Sequence, residues 1–181
     1  AAKNEGATAV ALTDNGNLYG AIQFYEEAKG AGIKPILGID AYMAVRTRHD
    51  KEGRIDNRRT RLVLLAKNFE GYKTLIKLVT YSHLEGFYYK PRIDRELLEK
   101  YHNDLICISP AFAGEISVHL KNDEAEKAHE TAQFLRGIFG QDFYLELLHH
   151  PEIAEFPALT EKIKKFAATE KIPLVAANDV Y

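Results

Sequence analysis

Three aspartates stand just past runs of apolar residues, and their placement is typical of a site that binds a cation. Asp14, Asp40 and Asp179 each follow a predicted buried strand. Because the carboxyl ends of parallel strands lie along one edge of an α/β fold, where active sites are built, we expect these three carboxylates to lie close together. Carboxylates clustered away from water repel one another unless a metal ion or basic side chains balance their charge. The pattern therefore predicts a divalent metal or zinc site with histidines in its coordination shell.

The seven histidines differ in their suitability as ligands for such a site. His83 lies near the end of a predicted helix, and His149 and His150 follow a predicted strand, so these three could face the strand ends. We expect the other four histidines to lie on the surface. For the aspartates an alternative without a metal stays open, in which Asp14 opens an Asn-Gly turn and Asp179 caps the element that follows it.

The elements that position these residues alternate between two periodicities. Six short runs of branched apolar residues have the length of buried parallel strands, at positions 8–12, 35–39, 61–66, 104–108, 143–147 and 173–177. Four segments between them repeat apolar residues with a helical period, at 17–29, 69–84, 123–138 and 157–170. Alternating strands and helices are typical of an α/β protein, either an open doubly wound sheet or a (βα) barrel, and we favour the barrel.

Composition excludes several function classes. The 181 residues include 24 basic and 26 acidic side chains, and a net charge of −2 argues against a nucleic-acid coat or a polybasic membrane anchor. Cys107 is the only cysteine and is flanked by isoleucines, so we expect a reducing, cytoplasmic setting and a buried, inert thiol. No apolar run approaches the roughly 20 residues needed to span a bilayer. Phosphate-binding glycine motifs and the GxSxG nucleophile motif are missing from the sequence.

Two segments could contact phosphate groups. Positions 46–61 hold seven basic and three acidic side chains and are predicted to form a protruding loop or hairpin. The alternative is a solvated, mobile connection without a ligand. Positions 86–94, with the sequence GFYYKPRID, combine aromatic and basic residues that could hold nucleic acid or another domain, or form a wall of the barrel mouth. The candidate nucleic-acid-binding residues are Arg58, Arg59, Lys90 and Arg92.

Six strings of this sequence resemble, in the same order, the strings of one known family. They are AVALTDNGNLYG at 9–20, GIKPILG at 32–38, LVLLAKN at 62–68, GFYYKPRID at 86–94, AGEI at 113–116 and LVAANDV at 174–180. They resemble the polymerase-and-histidinol-phosphatase (PHP) domain at the start of bacterial DNA polymerase III alpha subunits, and the resemblance covers nearly the whole chain. It implies a distorted (βα)7 barrel similar to a TIM barrel, whose strand ends hold up to three metal ions. In some members it implies phosphoesterase or proofreading 3′–5′ exonuclease activity.

The resemblance also implies a metal site that has lost ligands. Three ligand positions of the family are kept, at Asp40, His83 and Asp179. Three others are replaced, at Asn15, Ala111 and Tyr181, where metal-binding members carry histidine or cysteine. The family's opening strand, with its His-x-His pair, is missing because the chain starts at Ala1. We therefore expect at most one weakly bound zinc, manganese or magnesium ion.

These features lead to an expected role within a larger polypeptide. Because the chain starts with Ala1 and ends directly after a strand-like run, we expect a fragment that forms one domain over residues 1–181. The resemblance implies a scaffolding portion of a replicative polymerase alpha subunit, inactive by itself, with polymerase chemistry and DNA binding elsewhere in the full chain. Expected partners are the rest of the alpha chain and a proofreading exonuclease subunit, with no membrane. The missing first strand is expected to leave an open sheet edge or to cause dimerisation.

Two alternatives to the scaffold stay open at this point. The first is an active metal-dependent 3′–5′ exonuclease or phosphoesterase that uses Asp40, His83 and Asp179 and recruits His149 or His150. The second is a DNA-contacting module that works through positions 46–61 and 90–92, whose binding would depend on salt.

Overall fold

The computed structural model describes residues 2–148, 153–154 and 156–177, and the chain divides into two compact units. The first unit comprises Ala1–Arg59 and Val63–Leu105, and the second comprises Thr60–Leu62 and Ile106–Tyr181. The expectation of a single domain over residues 1–181 stays a prediction. No helix of the described residues is both long and apolar enough to cross a membrane.

The first unit is built around parallel strands with helices between them. Its strands are β1 (Ala9–Asn15), β2 (Lys34–Ala44), the outer parts of β3 (Arg59–Ala66), β4 (Phe87–Tyr88) and β5 (Lys90–Ile93). Its helices are α1 (Ala21–Gly30), α2 (Phe69–Leu84) and α3 (Arg95–Lys100). Strand β2 pairs in parallel with β1 and, further along, with β5, while β4 and β5 form an antiparallel hairpin. Strand β2 thus lies between β1 and β5, and its pairing brings residues of these strands close together.

Local sequence explains where the helices of this unit begin. The side chain of Asn68 accepts a hydrogen bond from the backbone N–H of Gly71 at 3.0 Å, which caps α2. Asp94 does the same for α3, because its Oδ1 accepts from the N–H of Leu97 at 3.0 Å. Helix α2 then buries Leu75 and Leu78 completely. Asn68 follows β3 after one intervening residue and Asp94 follows β5 directly, so each cap marks the place where the chain passes from strand to helix.

The second unit repeats the alternation of strand and helix. Its elements are β6 (Leu105–Ser109), α4 (Glu115–Lys121), α5 (Ala125–Phe139), β7 (Phe143–Leu147), α6 (Phe156–Glu170) and β8 (Leu174–Ala176). Strands β6, β7 and β8 pair in parallel in that order. The thiol of Cys107 on β6 is buried, and burial raises its pKa well above the usual value, so it stays protonated and inert.

These elements confirm an α/β fold, with all six predicted strands and all four predicted helices present. Closure into a (βα)7 barrel stays a prediction, as does an open edge or a dimer. Two strand ends were placed wrongly from the sequence. Strand β1 includes Asp14, and β2 continues through Asp40 to Ala44 instead of ending before the aspartate. The antiparallel hairpin β4–β5 and the short helices α3 and α4 were not predicted.

Candidate functional site

The register of β1 against β2 decides which acidic residues share a face of the sheet. Asn15 is level with Asp40, and Asp14 is level with Ile39. Because side chains alternate between the two faces of a strand, Asp14 and Asp40 lie on opposite faces. The expected convergence of these two carboxylates is therefore wrong.

Asp14 has a local structural role instead. Its Oδ2 accepts a hydrogen bond from the backbone N–H of Gly20 at 3.0 Å, directly before α1 begins. The carboxylate thereby anchors the turn between β1 and α1 through Gly20, and the alternative in which Asp14 opens an Asn-Gly turn stays a prediction. Asp179, the third aspartate of the predicted cluster, lies outside the described residues.

Gly16 joins three elements at the end of β1. Its N–H donates to the carbonyl oxygen of Asp40 at 2.9 Å, and its own carbonyl oxygen is 3.2 Å from Nε2 of His83. The residue has φ +67°, and an added Cβ would lie 2.9 Å from Cγ of Pro91 and 3.2 Å from the ring of Tyr42. Glycine is required here both by the backbone conformation and by the close approach of β5. The strand ends, α2 and β5 therefore meet around Gly16.

The hydrogen bond of His83 bears directly on its predicted role as a ligand. A carbonyl oxygen only accepts hydrogen bonds, so this contact is a hydrogen bond in the tautomer of His83 that carries the proton on Nε2. A protonated ring nitrogen has no lone pair to give to a metal ion. In this tautomer His83 is committed at Nε2 to holding the turn at Gly16, and metal binding through that nitrogen would require the bond to break.

Two of the positions that the resemblance marks as replaced ligands, Asn15 and Ala111, lie within the described residues. Asn15, level with Asp40, offers an amide where an imidazole would be needed. Ala111, in the second unit, is 2% exposed and offers only its backbone N–H, which donates to Oε2 of Glu146 at 2.9 Å. Among the residues that the structure describes, no three His, Cys, Asp or Glu side chains form a group that could hold a metal ion.

Several candidate ligands lie outside the described ranges. These are His149, His150 and Asp179, together with Tyr181 at a replaced position. Their assignments stay predictions, and so does the expectation of one weakly bound ion. The described part of the predicted metal site consists of Asn15, Asp40 and His83.

A cavity of about 320 Å³ opens beside Gly16 in the first unit, lined among others by Asn15, Tyr42, His83, Tyr89 and Lys90. None of the described residues that line it is acidic. Nζ of Lys90 lies 5.8 Å from the centroid of the Tyr42 ring, and the guanidinium carbon of Arg59 lies 5.6 Å from it. Both distances are within the range of cation–π attraction. The cavity is therefore polar, aromatic and positively charged at its rim.

The segment 46–58 is organised by ion pairs that the charge count does not reveal. Arg46 binds Asp56 at 2.5 Å and Glu52 at 3.2 Å. The hydrogen bond from Arg46 lowers the pKa of Asp56, and that of Asp50 is lowered mainly by its bond to the hydroxyl of Thr47. These carboxylates therefore stay ionised and neutralise part of the segment.

Arg48 extends this network into the interior. Its guanidinium contacts three carboxylates, those of Glu85 at 2.6 Å, Glu96 at 2.9 Å and Asp94 at 3.1 Å. Burial alone would lower the pKa of Arg48, but the bonds to Glu85 and Glu96 and the charge of Asp94 raise it above the usual value. Arg48 therefore stays charged while it ties the start of the segment to α3 and to the end of α2.

Arg92 is fully buried, with 0% of its surface exposed, and its hydrogen bonds to described residues go to backbone oxygens. Nε donates to Gly86 at 3.0 Å, Nη1 to Asp56 at 3.0 Å, and Nη2 to Arg48 at 3.0 Å and to Asp50 at 2.9 Å. Burial lowers its pKa, although a guanidinium remains charged. A side chain enclosed in this way does not reach a phosphate, so the structure removes Arg92 from the nucleic-acid candidates.

The remaining cationic candidates lie at the surface. Arg58 and Lys90 are exposed, and Arg59 is half-buried with Nη1 donating to the carbonyl oxygen of Asn57 at 2.8 Å. Among the described residues, no carboxylate forms an ion pair with any of these three. Their role in nucleic-acid binding stays a prediction.

Sequence reasoning found only part of the aromatic surface. Tyr42 lies in the part of β2 that the sequence left out, and Tyr19, which is 85% exposed, was not singled out. Tyr89, which is 68% exposed, lies in the segment 86–94 that the sequence indicated as an aromatic and basic surface. The signal for Tyr89 was the string GFYYKPRID, and the structure places this residue in the turn between β4 and β5. No local signal marks Tyr42, because its cationic neighbours come from β3 and β5.

Comparison with known proteins identifies the class to which this fold and site belong. The model of the PHP domain family matches residues 1–150. The chain belongs to the PHP domain family, which confirms the resemblance seen in the sequence.

Its curated relatives are polymerase subunits. The chain is 47% identical over 171 residues to the DNA polymerase III subunit alpha of Borreliella burgdorferi, covering 94% of this chain and 15% of that protein. It is 40% identical over 173 residues to the same subunit of Thermus aquaticus, covering 94% of this chain and 14% of that protein. For the subunit of Campylobacter jejuni, the identity is 37% over 190 residues, covering 99% and 16%. The chain thus spans 14–16% of the length of these relatives.

Proposed function

We propose that this chain is the PHP domain of a bacterial replicative polymerase alpha subunit and that it serves as a scaffold without metal-dependent catalysis of its own. The observation that supports this proposal is the set of side chains around the end of β1. Asn15 stands level with Asp40, and Nε2 of His83 is within hydrogen-bond distance of the carbonyl oxygen of Gly16. Phosphodiester hydrolysis by this fold would need a metal-bound hydroxide and commonly a second ion on the leaving oxygen. Three residual ligands do not supply both.

The second unit offers a surface suited to a structural role. An apolar cavity of about 480 Å³ lies between α4 and the first two turns of α6. Its rim carries Phe112, which is 65% exposed and stacks on Phe156 with a centroid distance of 6.3 Å, and Ile153, which is 44% exposed. Exposed apolar surface of this kind is typical of contacts with another domain or subunit. The rest of the alpha chain and a proofreading exonuclease subunit are the partners that we propose for the scaffold.

Metal loading tests the scaffold proposal. After incubation with zinc or manganese and exhaustive dialysis, we expect less than one ion per chain by elemental analysis, because too few ligands are present. We also expect single-stranded DNA to be cleaved no faster than by the Asp40→Ala variant. Asn15→His, which returns an imidazole to the strand end, serves as the matched gain-of-ligand variant and should retain more zinc. Two or more retained ions, with cleavage that is lost in Asp179→Ala, would establish the exonuclease alternative instead.

A second candidate function is contact with DNA. It is favoured by which charged side chains form ion pairs in the basic segment, positions 46–61. The acidic side chains at 50, 52 and 56 are engaged by Thr47 and Arg46, while Arg58 and Arg59 form no ion pair with a described carboxylate. Part of the local positive charge is therefore available at Arg58 and Arg59. Two adjacent cations of this kind are suited to phosphate contacts, which position a strand without reading its sequence.

Salt dependence tests this contact. The double variant Arg58→Gln/Arg59→Gln is expected to weaken binding of single-stranded DNA and to reduce the slope of log K against log salt by about 1 to 2, because each phosphate contact releases about one counterion. Replacing Lys77 and Lys100 by glutamine removes the same charge from another face and serves as the control. Unchanged affinity and slope in the arginine double variant would remove this function.

A further inference from the structure

We propose that the cavity beside Gly16 captures a single nucleobase together with its phosphate, without a metal ion, and that Tyr89 provides the stacking surface. The chemistry that the pocket recognises is an aromatic heterocycle joined to an anion. The inference deepens the proposed contact with DNA, because it adds a base-binding position to a surface that otherwise meets only phosphates.

The conformation of Tyr89 is the first observation behind this inference. Tyr89 forms the turn between β4 and β5 with φ +58°, a left-handed conformation that tyrosine adopts rarely and that glycine or asparagine adopts at lower cost. Its side chain is 68% exposed and meets the ring of Tyr88 edge-on, with the two ring centroids 4.7 Å apart. Neither turn geometry nor core packing therefore explains a tyrosine at this position. Local strain that stability does not explain points to a role in binding.

The surroundings of Tyr89 supply the other elements of a nucleotide site. Phe87 and Tyr19 are 51% and 85% exposed, so further ring surface is available beside the cavity. Exposed aromatic rings stack on bases with little dependence on base identity. A volume of about 320 Å³ lies at the lower end of the range for small-ligand sites, which suits one nucleotide better than a longer stretch.

The charge of the site favours an anionic ligand. Lys90 lines the cavity, Lys90 and Arg59 both lie against the ring of Tyr42, and no acidic residue lines the cavity within the described part of the chain. The whole chain has a net charge of −2, so this concentration of positive charge is local. A phosphate attached to a base stacked on Tyr89 would be attracted by Lys90, the next residue in the chain, while the base meets the ring.

Photo-crosslinking in the full-length polypeptide that carries this chain tests the inference, because it reports position as well as binding. The probes are free 5-iododeoxyuridine monophosphate and decamers of single-stranded DNA with 5-iodouracil at the 5′ end, at the 3′ end or in the middle. Irradiation is carried out in EDTA, and adducts are mapped by mass spectrometry. We expect adducts on Tyr89, Tyr19 or Phe87. Adducts from the free nucleotide would identify a mononucleotide ligand, and adducts from one terminal probe alone would identify a strand end.

Two variants separate binding from folding. Tyr89→Asn is expected to leave the unfolding midpoint unchanged or raised, since asparagine suits the turn, yet to reduce the adduct yield by about fivefold or more through loss of stacking. Lys90→Gln is expected to reduce the yield and its salt dependence together. The pair Tyr101→Leu/Lys100→Gln is the control, because Tyr101 already stacks on Tyr81 at 5.5 Å and lies outside the cavity.

Other outcomes would overturn the inference. Adducts confined to other parts of the polypeptide, or an undiminished yield in Tyr89→Asn, would show that the ring does not stack on a base. Adducts that form when EDTA is left out but not when it is present would mean that a metal ion holds the ligand. Protection of Tyr89 from solvent in the DNA-free protein would assign the ring to a contact with another protein surface. If the arginine double variant binds DNA normally but Tyr89 crosslinks, the phosphate contact fails while the base site stands.

Discussion

Replacing Arg92 with methionine is expected to lower the free energy of unfolding by about 3 to 5 kcal/mol, because it removes a buried cation and leaves carbonyl oxygens without their donor. Methionine keeps the length of the side chain, so the loss is one of hydrogen bonds and charge more than of volume. Four carbonyl oxygens, in the segments 48–56 and 86, converge on this guanidinium. We expect the segment 46–58 to lose its protection from hydrogen exchange in this variant.

Arg92→Lys distinguishes the shape of the guanidinium from its charge. A lysine ammonium is compact and has three donors at one point, whereas the four carbonyl oxygens are met by three separate nitrogen atoms of Arg92. Lysine should therefore recover less than about half of the lost stability. Arg54→Met, an exposed arginine of the same segment, is the control and should change stability by less than about 0.5 kcal/mol. Hydrogen exchange of the peptide 46–58 should accompany urea titration, since a global midpoint would combine two units. Full rescue by lysine would show that charge alone matters.

The order of strands and helices could be predicted from the sequence because periodicity is a local signal. The six strands and four helices read in this way are all present, whereas the elements that were missed are short. Strand β4 has two residues and β5 has four, too few to show a period. Helix α3 left a usable signal, since Asp94 precedes Glu96, Leu97 and Leu98 in the manner of a cap followed by a first helical turn.

The site was harder to predict because it depends on register and on partners distant in sequence. Asp40 looked like the end of a strand, yet β2 continues because Tyr42 and Met43 pair with β5. Arg92 looked like a surface cation beside two tyrosines, yet its burial depends on carbonyl oxygens more than 30 residues away. No rule of composition or spacing reports such contacts. The sequence did indicate the family correctly, because recognition of a family rests on strings of several residues and does not require that their contacts be known.

Asp94→Ala is the second substitution for which we expect a large loss, again of about 3 to 5 kcal/mol, because it breaks a buried ion pair and removes a helix cap. Asp94 is 2% exposed. Its Oδ2 accepts from the backbone N–H of Arg48 at 2.9 Å and from Nη1 of Arg48 at 3.1 Å, while its Oδ1 caps α3. Asp94→Asn keeps an oxygen for the cap and should lose less. Glu96→Ala removes a 69% exposed partner of the same arginine and should cost less than about 1 kcal/mol.

Arg92 and Asp94 should not act independently, because both hold the backbone of Arg48. Arg92 binds the carbonyl oxygen of Arg48, and Asp94 binds its N–H. Once either bond is lost, the residue is free to move and the other bond is weakened. We therefore expect Arg92→Met/Asp94→Ala to cost less than the sum of the single variants by about 0.5 to 3 kcal/mol. Additive losses would show that the two residues stabilise separate structures, and the segment that carries Arg58 would then not depend on a shared support at Arg48.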